Sequence, residues 1–302
     1  MSALVVGSVA LDTVITPFGR ADDALGGSAS FFSVAARHFT PVSIVAIVGE
    51  DFPQKHVDLF KQRNIDVEGL VRAPGKTFRW TGEYHFDLNS RTTLDTQLNV
   101  FADFDPTVPP AYRDPRFLFL ANIDPTLQRK VLDQVNRPEM VLLDTMNFWI
   151  EGARASLMET LKKVDVVFLN DSEARELTGE WNLIKAARAV FALGPSVVVV
   201  KKGEHGSLLF TREFTFAEPA FPIELLFDPT GAGDTFAGGF VGHLARCQDI
   251  NEMELRRAVV CGTVMASFSV ESFSLDRLAA TTTEEIAART REIKLLSDFH
   301  PL

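Results

Sequence analysis

Cysteine is scarce in this 302-residue chain, where Cys247 and Cys261 are the only two. Two thiols without a spacing pattern exclude a disulfide framework and a zinc-ligand pair. Both are expected to be small buried residues in a reducing compartment. Histidine offers no other metal set: His38, His56, His205, His243 and His300 lie scattered, and no zinc or iron site is expected from them. Positive charge is in deficit as well. Thirty Lys and Arg stand against forty Asp and Glu, a formal charge of −10, which excludes the basic face that non-specific nucleic-acid binding needs. A nucleotide stays within reach, because a few local amides and cations suffice for its phosphates. No apolar run approaches the roughly 18 residues of a membrane span. The opening MSALVVGSVALDTVI has no basic flank and is broken by Asp12, so its valines read as a strand rather than a secretion signal. Linkers, repeats and low-complexity tracts are lacking too. The expectation is a single domain in a cytoplasmic protein, without membrane or nucleic-acid partners.

What is present is alternation. Apolar or β-branched runs at 3–9, 42–48, 117–121, 140–144, 164–170 and 197–201 are separated by segments with helical spacing. The last part of the chain reads as helix at 232–245, 253–270 and 283–296. Strands alternating with helices predict βαβ units, hence an α/β fold whose mostly parallel sheet is covered on both faces. One region departs from this. Residues 77–87 place Phe78, Trp80, Tyr84 and Phe86 on one side and Arg79, Glu83, His85 and Asp87 on the other. Residues 92–101 set Leu94, Leu98 and Val100 opposite Asp95, Gln97 and Asn99. An antiparallel pair with one apolar face does not suit a sheet buried on both sides. It predicts a small β-element projecting from the main body.

Chemistry concentrates in residues 225–240, LLFDPTGAGDTFAGGF. A dinucleotide fingerprint is excluded because Phe236 stands where a third glycine is needed, and no Gly-Lys-Ser/Thr follows for a P-loop. What remains is a strand, a tight turn and a helix whose first amides come from Gly231, Ala232, Gly233 and Asp234. Small residues let the backbone approach a ligand closely, and free amides with the helix dipole favour an anion. Asp234, placed among them, can take a hydroxyl proton as the oxygen attacks phosphorus. The plain alternative is an N-cap aspartate. Glycines flanking the turn, and Gly238 and Gly239 inside the helix, are costly for capping alone.

Residues 228–240 resemble the C-terminal signature of the ribokinase-like (PfkB) carbohydrate kinases. In the same order, residues 5–12 (VVGSVALD) resemble the family's first strand, ending in an aspartate that binds substrate hydroxyls. Gly26-Gly27-Ser28 resembles its Gly-Gly motif, and Gly49-Glu50-Asp51-Phe52 its Gly-x-Asp-x-Phe segment. Asn170 and Glu173 match the Asn-x-x-Glu motif, and residues 201–206 (KKGEHG) the nucleotide-side Gly-x-x-Gly turn. The resemblance spans nearly the whole chain. It implies a three-layer α/β sandwich with a small β lid, built around 12–26 and 77–102, and a kinase using ATP and Mg2+. By the same resemblance Asp234 is the general base, and Gly231, Ala232 and Gly233 form an anion hole. Asp12, Gly26, Gly27, Ser28 and Phe31 lie at the acceptor. Asn170 and Glu173 organise Mg2+ through water, and Lys202, Gly203, Gly206 and Gly262 lie beside the nucleotide. Asp228 and Thr230 hold K+ in many relatives, while by themselves they read as an Asx turn. Both readings stay open.

The match breaks at Phe31, where relatives carry an asparagine that contacts substrate hydroxyls. An apolar ring there either faces the pocket, favouring a flat or less polar acceptor, or turns into the core. The aromatic β-element likewise either covers the substrate or pairs two subunits into a homodimer. The implied activity is phosphorylation of a hydroxymethyl group on a sugar or on a nucleoside ribose. Two alternatives share the fold. One is an ATP-dependent nicotinamide-hydrate dehydratase, disfavoured by Thr235-Phe236 after the aspartate, and the other is a non-catalytic sugar- or nucleoside-binding protein.

Overall fold

The structure, a computed structural model, describes residues 3–298; His300 lies outside them. In chain order it begins β1 (Ala3–Val6), β2 (Ala10–Thr16), β3 (Gly19–Gly26), α1 (Ser28–Ala36), β4 (Val42–Gly49), α2 (Gln54–Gln62) and β5 (Ile65–Ala73). There follow β6 (Arg79–Tyr84), β7 (Arg91–Gln97), β8 (Phe117–Leu120), α3 (Pro125–Leu132), β9 (Met140–Asp144), α4 (Asn147–Gly152) and α5 (Arg154–Leu161). Next come β10 (Val166–Asn170), α6 (Asp171–Thr178), α7 (Leu183–Phe191), β11 (Val197–Lys201), β12 (Ser207–Phe210) and β13 (Thr215–Glu218). The chain then closes with α8 (Ala232–Leu244), α9 (Glu252–Ser269), α10 (Asp276–Ala280) and α11 (Thr283–Ser297).

Nine strands form the main sheet in the order β13-β12-β11-β10-β9-β8-β1-β4-β5. The seven from β11 to β5 run parallel, and β12 and β13 add an antiparallel edge. Alternate residues feed two separate cores. Val5, Ile44, Phe119 and Phe168 pack with α1, α8, α9 and α11 on one face. Leu4, Val45, Leu118 and Val167 pack with α3, α5, α6 and α7 on the other. This is why these strands read as unbroken apolar runs. Among the described residues no helix is long and apolar enough to cross a membrane.

The run at 3–9 is corrected by the structure. β1 stops at Val6, and the chain turns at Gly7, where a Cβ would lie 2.8 Å from both the Ala121 Cβ and the Ser28 Oγ. Ala10–Thr16 then joins a second sheet, ordered β3-β2-β6-β7, so Asp12 belongs to that sheet and not to the first strand. The hairpin expectation needs correction too. β6 ends at Tyr84, leaving Phe86 94% exposed. A bulge at Thr81 and Gly82 shifts the pairing, every residue of β7 is exposed, and Leu94 and Leu98 share no buried face. Its partner strand does have a covered side. Asp12 pairs in register with Trp80, and Trp80 lies over Gly82, where a Cβ would fall 2.0 Å from the indole.

Candidate active site

Three polar residues end three adjacent parallel strands: Asp144 on β9, Asn170 on β10 and Lys201 on β11. Register places Asp144 beside Phe168 and Asn170 beside Lys201. The carboxyl ends of parallel strands are where open α/β sheets bind ligands. Lys201 Nζ donates to Asp144 Oδ2 at 2.8 Å, with little of either side chain exposed. Burial works against the Lys201 charge, but Asp144, Glu173 and Asp234 more than offset it and hold the ammonium above its ordinary value. Sequence reasoning missed this pair. Lys201 stood in the quoted KKGEHG run, and Asp144 stood at the end of an expected strand.

α8 starts above Lys201. Asp228 builds the turn before it, its Oδ1 accepting the Thr230 N–H at 2.8 Å and its Oδ2 the Ser274 N–H at 3.1 Å. Oδ1 thus closes the Asx-type turn, and Oδ2 ties that turn to the loop at Ser274. Gly231 follows as N-cap with φ 72°, and no side chain caps the helix. A Cβ on Gly231 would meet the Phe31 ring at 2.3 Å. Phe31 is therefore neither a free pocket wall nor a remote core residue: 2% exposed, it packs directly beneath the turn. Of the turn's amides, Ala232 N–H is committed to the Pro229 carbonyl (3.2 Å) and Asp234 N–H to its own carboxylate. The N–H groups of Gly231 and Gly233 find no acceptor among the described residues. Lys201 Nζ lies 2.9 Å from where a Gly233 Cβ would be, so a buried cation sits against Gly233.

Asp234 occupies the first turn of α8. Desolvation and then the Asp144 charge push its carboxyl up to about 7, with Lys201 and Arg91 opposing. Asp12 is 6% exposed, and burial, with the Asp228 and Asp234 charges, likewise raises it to about 7. Its Oδ1 has no hydrogen-bond partner. Gly26 makes room for it, since a Cβ there would lie 1.9 Å from Asp12 Oδ2, while Gly27, N-cap of α1 at φ 93°, donates its N–H to the carboxylate and passes close to the Ser8 backbone. Ser28 turns to the backbone and hydroxyl of Ser8.

Asn170 and Glu173 close a reciprocal capping box. Asn170 Oδ1 accepts the Glu173 N–H at 2.7 Å, and Glu173 Oε2 accepts the Asn170 N–H at 2.6 Å. Glu173 is pushed up to about 7 by burial, against the pull of Lys201. Lys202 to Gly206 form a tight turn, with Lys202 N–H donating to the Gly206 carbonyl at 2.8 Å. The tip of the small sheet reaches it, Asn89 Nδ2 donating to Glu204 Oε1 at 3.2 Å. From the same sheet Tyr84 receives the Thr230 hydroxyl at 3.3 Å, and the Arg91 charge acts on Glu173 and Asp234. Arg91 was a further omission, and Tyr84 was read only as part of the aromatic face. Gly262 is accounted for elsewhere: a Cβ there would meet the Phe236 carbonyl at 2.8 Å, so it serves the contact of α9 with α8. Gly238 and Gly239 have the same explanation, admitting α1 and α9 to either side of α8, and they say nothing about chemistry.

The fold and these strand-end groups define a phosphotransferase of the ribokinase-like type. A family model described as pfkB family carbohydrate kinase matches residues 12–281, and the chain belongs to that family. Its acceptor is an alcohol group. The chain is 32% identical over 261 residues to the cytidine kinase of Thermococcus kodakarensis, covering 83% of this chain and 91% of that protein. Among solved structures it resembles the Methanocaldococcus jannaschii nucleoside kinase (TM-score 0.78, 19% identity, 97% and 99% of the two chains). It also resembles the Salmonella enterica aminoimidazole riboside kinase complexed with aminoimidazole riboside and an ATP analog (0.75, 17%, 96% and 100%). Of the three readings drawn from the sequence, the kinase is the one these matches support.

Proposed function

We propose that this protein is an ATP-dependent kinase that phosphorylates the hydroxymethyl group of a nucleoside ribose or a related sugar. The observation that carries the reading is the open start of α8, where the Gly231 and Gly233 amides have no acceptor among the described residues and Lys201 approaches Gly233. Asp12, with one unpartnered oxygen, grips acceptor hydroxyls from the small sheet. Trp80, on the same face as Asp12, offers its ring to a flat base or a sugar face. Asp234 takes the proton of the attacking hydroxyl, and a carboxyl poised near neutrality suits that task. The Gly231 and Gly233 amides and the Lys201 ammonium receive the charge that spreads over the transferring group.

Asp144, Glu173 and Asp234 outnumber Lys201 at this end of the sheet, so the donor set fits an accompanying divalent cation. Glu173 keeps Oε1 free for a metal-bound water. Mg2+, when bound, supplies neutralisation of the phosphate charge. The turn from Lys202 to Gly206 flanks the nucleotide, and the small sheet serves as lid. Two copies would pair along the exposed strand β7, and a monomer in sedimentation velocity removes that part of the reading.

The test is ATP consumption across nucleosides and free sugars, beginning with pyrimidine nucleosides because the near-full-length relative carries the name cytidine kinase. Turnover with a nucleoside that disappears in Asp234→Asn, while the variant still binds that nucleoside, is the expected result. Undiminished turnover in the variant rejects Asp234 as the base.

A further inference from the structure

The far end of α8 carries a second cluster, separate from the chemistry above. His243 and Cys247 are four residues apart, and Glu254 meets them from the first turn of α9. Nine residues of helix separate His243 from Asp234, roughly 13 Å at the α-helical rise. His243 Nε2 lies 2.7 Å from Glu254 Oε2, Cys247 Sγ lies 3.2 Å from the same oxygen, and Cys247 Sγ lies 3.7 Å from His243 Nε2. Three donor atoms of three kinds converge on one point.

We propose that His243 Nε2, Cys247 Sγ and the Glu254 carboxylate form a Zn2+ site, with water as fourth ligand. Ligand bonds of about 2.0–2.3 Å at tetrahedral angles put neighbouring donors about 3.3–3.6 Å apart. The two Cys247 distances reach that spacing with shifts of a few tenths of an ångström, and the His243–Glu254 distance opens by about 0.6 Å. Mixed nitrogen, sulfur and oxygen donors suit zinc better than Mg2+ or Ca2+.

The surroundings orient the donors. Cys261 Sγ lies 3.6 Å from His243 Nδ1, on the opposite edge of the ring, which turns Nε2 toward Glu254 and Cys247. Arg257 holds the other Glu254 oxygen at 2.7 Å. Such outer contacts fix ligands in metal sites. Glu254 also forgoes its ordinary local partner. At the starts of α6 and α11 the third-position glutamates, Glu173 and Glu285, reach back to the N-cap amide. Asn251 accepts the Glu254 N–H at 3.1 Å in the same way, yet the Glu254 carboxylate turns to His243 and Cys247 instead. Arg116, Arg246 and Arg257 oppose a cation here and limit affinity. Without metal, burial and Glu254 keep the Cys247 thiol protonated, up to about 11. On binding, the S–H bond breaks, its electron pair goes to the metal and its proton to solvent, with no change of oxidation state.

The intact protein, dialysed against chelator, is titrated with Co2+ as a spectroscopic probe and then with Zn2+. One equivalent of Co2+ is expected to produce a thiolate-to-cobalt charge-transfer band that Zn2+ abolishes, and Zn2+ is expected to raise the melting temperature. Cys247→Ser should lose the band while retaining its circular dichroism and any kinase turnover, and Cys261→Ser should keep the band. Glu254→Gln should lose the thermal response to Zn2+. No band in the wild-type protein, a band that survives in Cys247→Ser, or an equal thermal shift in Glu254→Gln overturns the site.

Discussion

Two helices, α6 and α8, begin at the same end of the main sheet and treat their first turns in opposite ways. α6 is closed on itself, its first donors satisfied by Asn170 and Glu173. α8 has a glycine in the left-handed region as N-cap and no side chain over its first turn. Every helix start exposes donors, and a chain that can satisfy them cheaply with Asn, Ser or Asp ordinarily does so. Leaving α8 open costs stability, and the kinase reading supplies the reason: the transferring group completes the cap. α6 then contributes the free oxygen of Glu173, not its amides.

The sharpest break of this comparison is Asp234→Asn. It leaves the α8 turn intact and removes only the proton acceptor, so kcat should fall by about 10³-fold or more with KM for the acceptor nearly unchanged. Steady-state kinetics on the nucleoside found by the screen decides it, and an unchanged kcat would contradict the role. The wild-type rate should also decline as pH falls below about 7, where Asp234 takes up a proton.

Gly231→Ala tests the open cap itself. The new methyl group meets the Phe31 ring, and alanine is strained at φ 72°. A loss on the order of 10²-fold in kcat/KM is expected, together with a lower melting temperature. The double variant Gly231→Ala, Phe31→Ala relieves the collision but not the backbone strain. It should recover activity only in part, and full recovery would mean that the steric clash alone mattered.

At α6 the outcomes should differ in kind. Asn170→Ala is expected to cost about 1 kcal/mol of stability through the lost cap. Glu173→Gln keeps an oxygen for the Asn170 amide and should show roughly tenfold lower activity with a higher Mg2+ requirement. If Asn170→Ala instead lowers activity with no change in melting temperature, Asn170 serves the reaction rather than the cap.

The fold was legible wherever burial on both faces forced continuous apolar runs, as at Phe117–Leu120 and Val197–Lys201. It was not legible at residues 3–16, because the break after Val6 depends on Gly7 passing Ala121, over a hundred residues away. The same holds for the site. The turn at Gly231 and the helix that follows it were readable because they depend on neighbours within a few positions. Asp144 and Lys201 stand 57 residues apart and meet only across strand ends, and Arg91 arrives from the other sheet. The cluster on α8 falls between these cases. His243 lies in the last turn of α8 and Cys247 just past its end, and Glu254 becomes a partner only once α9 has folded back against α8.

The last expected effect concerns Asp12 and is a gain rather than a loss. Its carboxyl is buried with an unpartnered oxygen, and burial together with the Asp228 charge raises it to about 7. The unfolded chain ionises above about 4. Between those values the folded protein holds one more proton than the unfolded one, so this residue's contribution to stability falls as pH rises through the window. Above about 7 the folded state carries a buried, unpaired charge, and the penalty is complete. Asp12→Asn removes that charge. It should therefore stabilise the ligand-free protein at pH 8, on the order of 1–3 kcal/mol, and the advantage should shrink toward pH 4. The same variant should lose affinity for the acceptor, as expected of a group held at a cost until substrate hydroxyls supply its partners. Melting curves of both proteins at pH 4.5 and pH 8, with and without the acceptor, measure the two effects together. A variant less stable than the parent at pH 8 would show that the Gly27 N–H bond to the ionised carboxylate outweighs its burial, and the place of Asp12 in the acceptor site would then need another explanation.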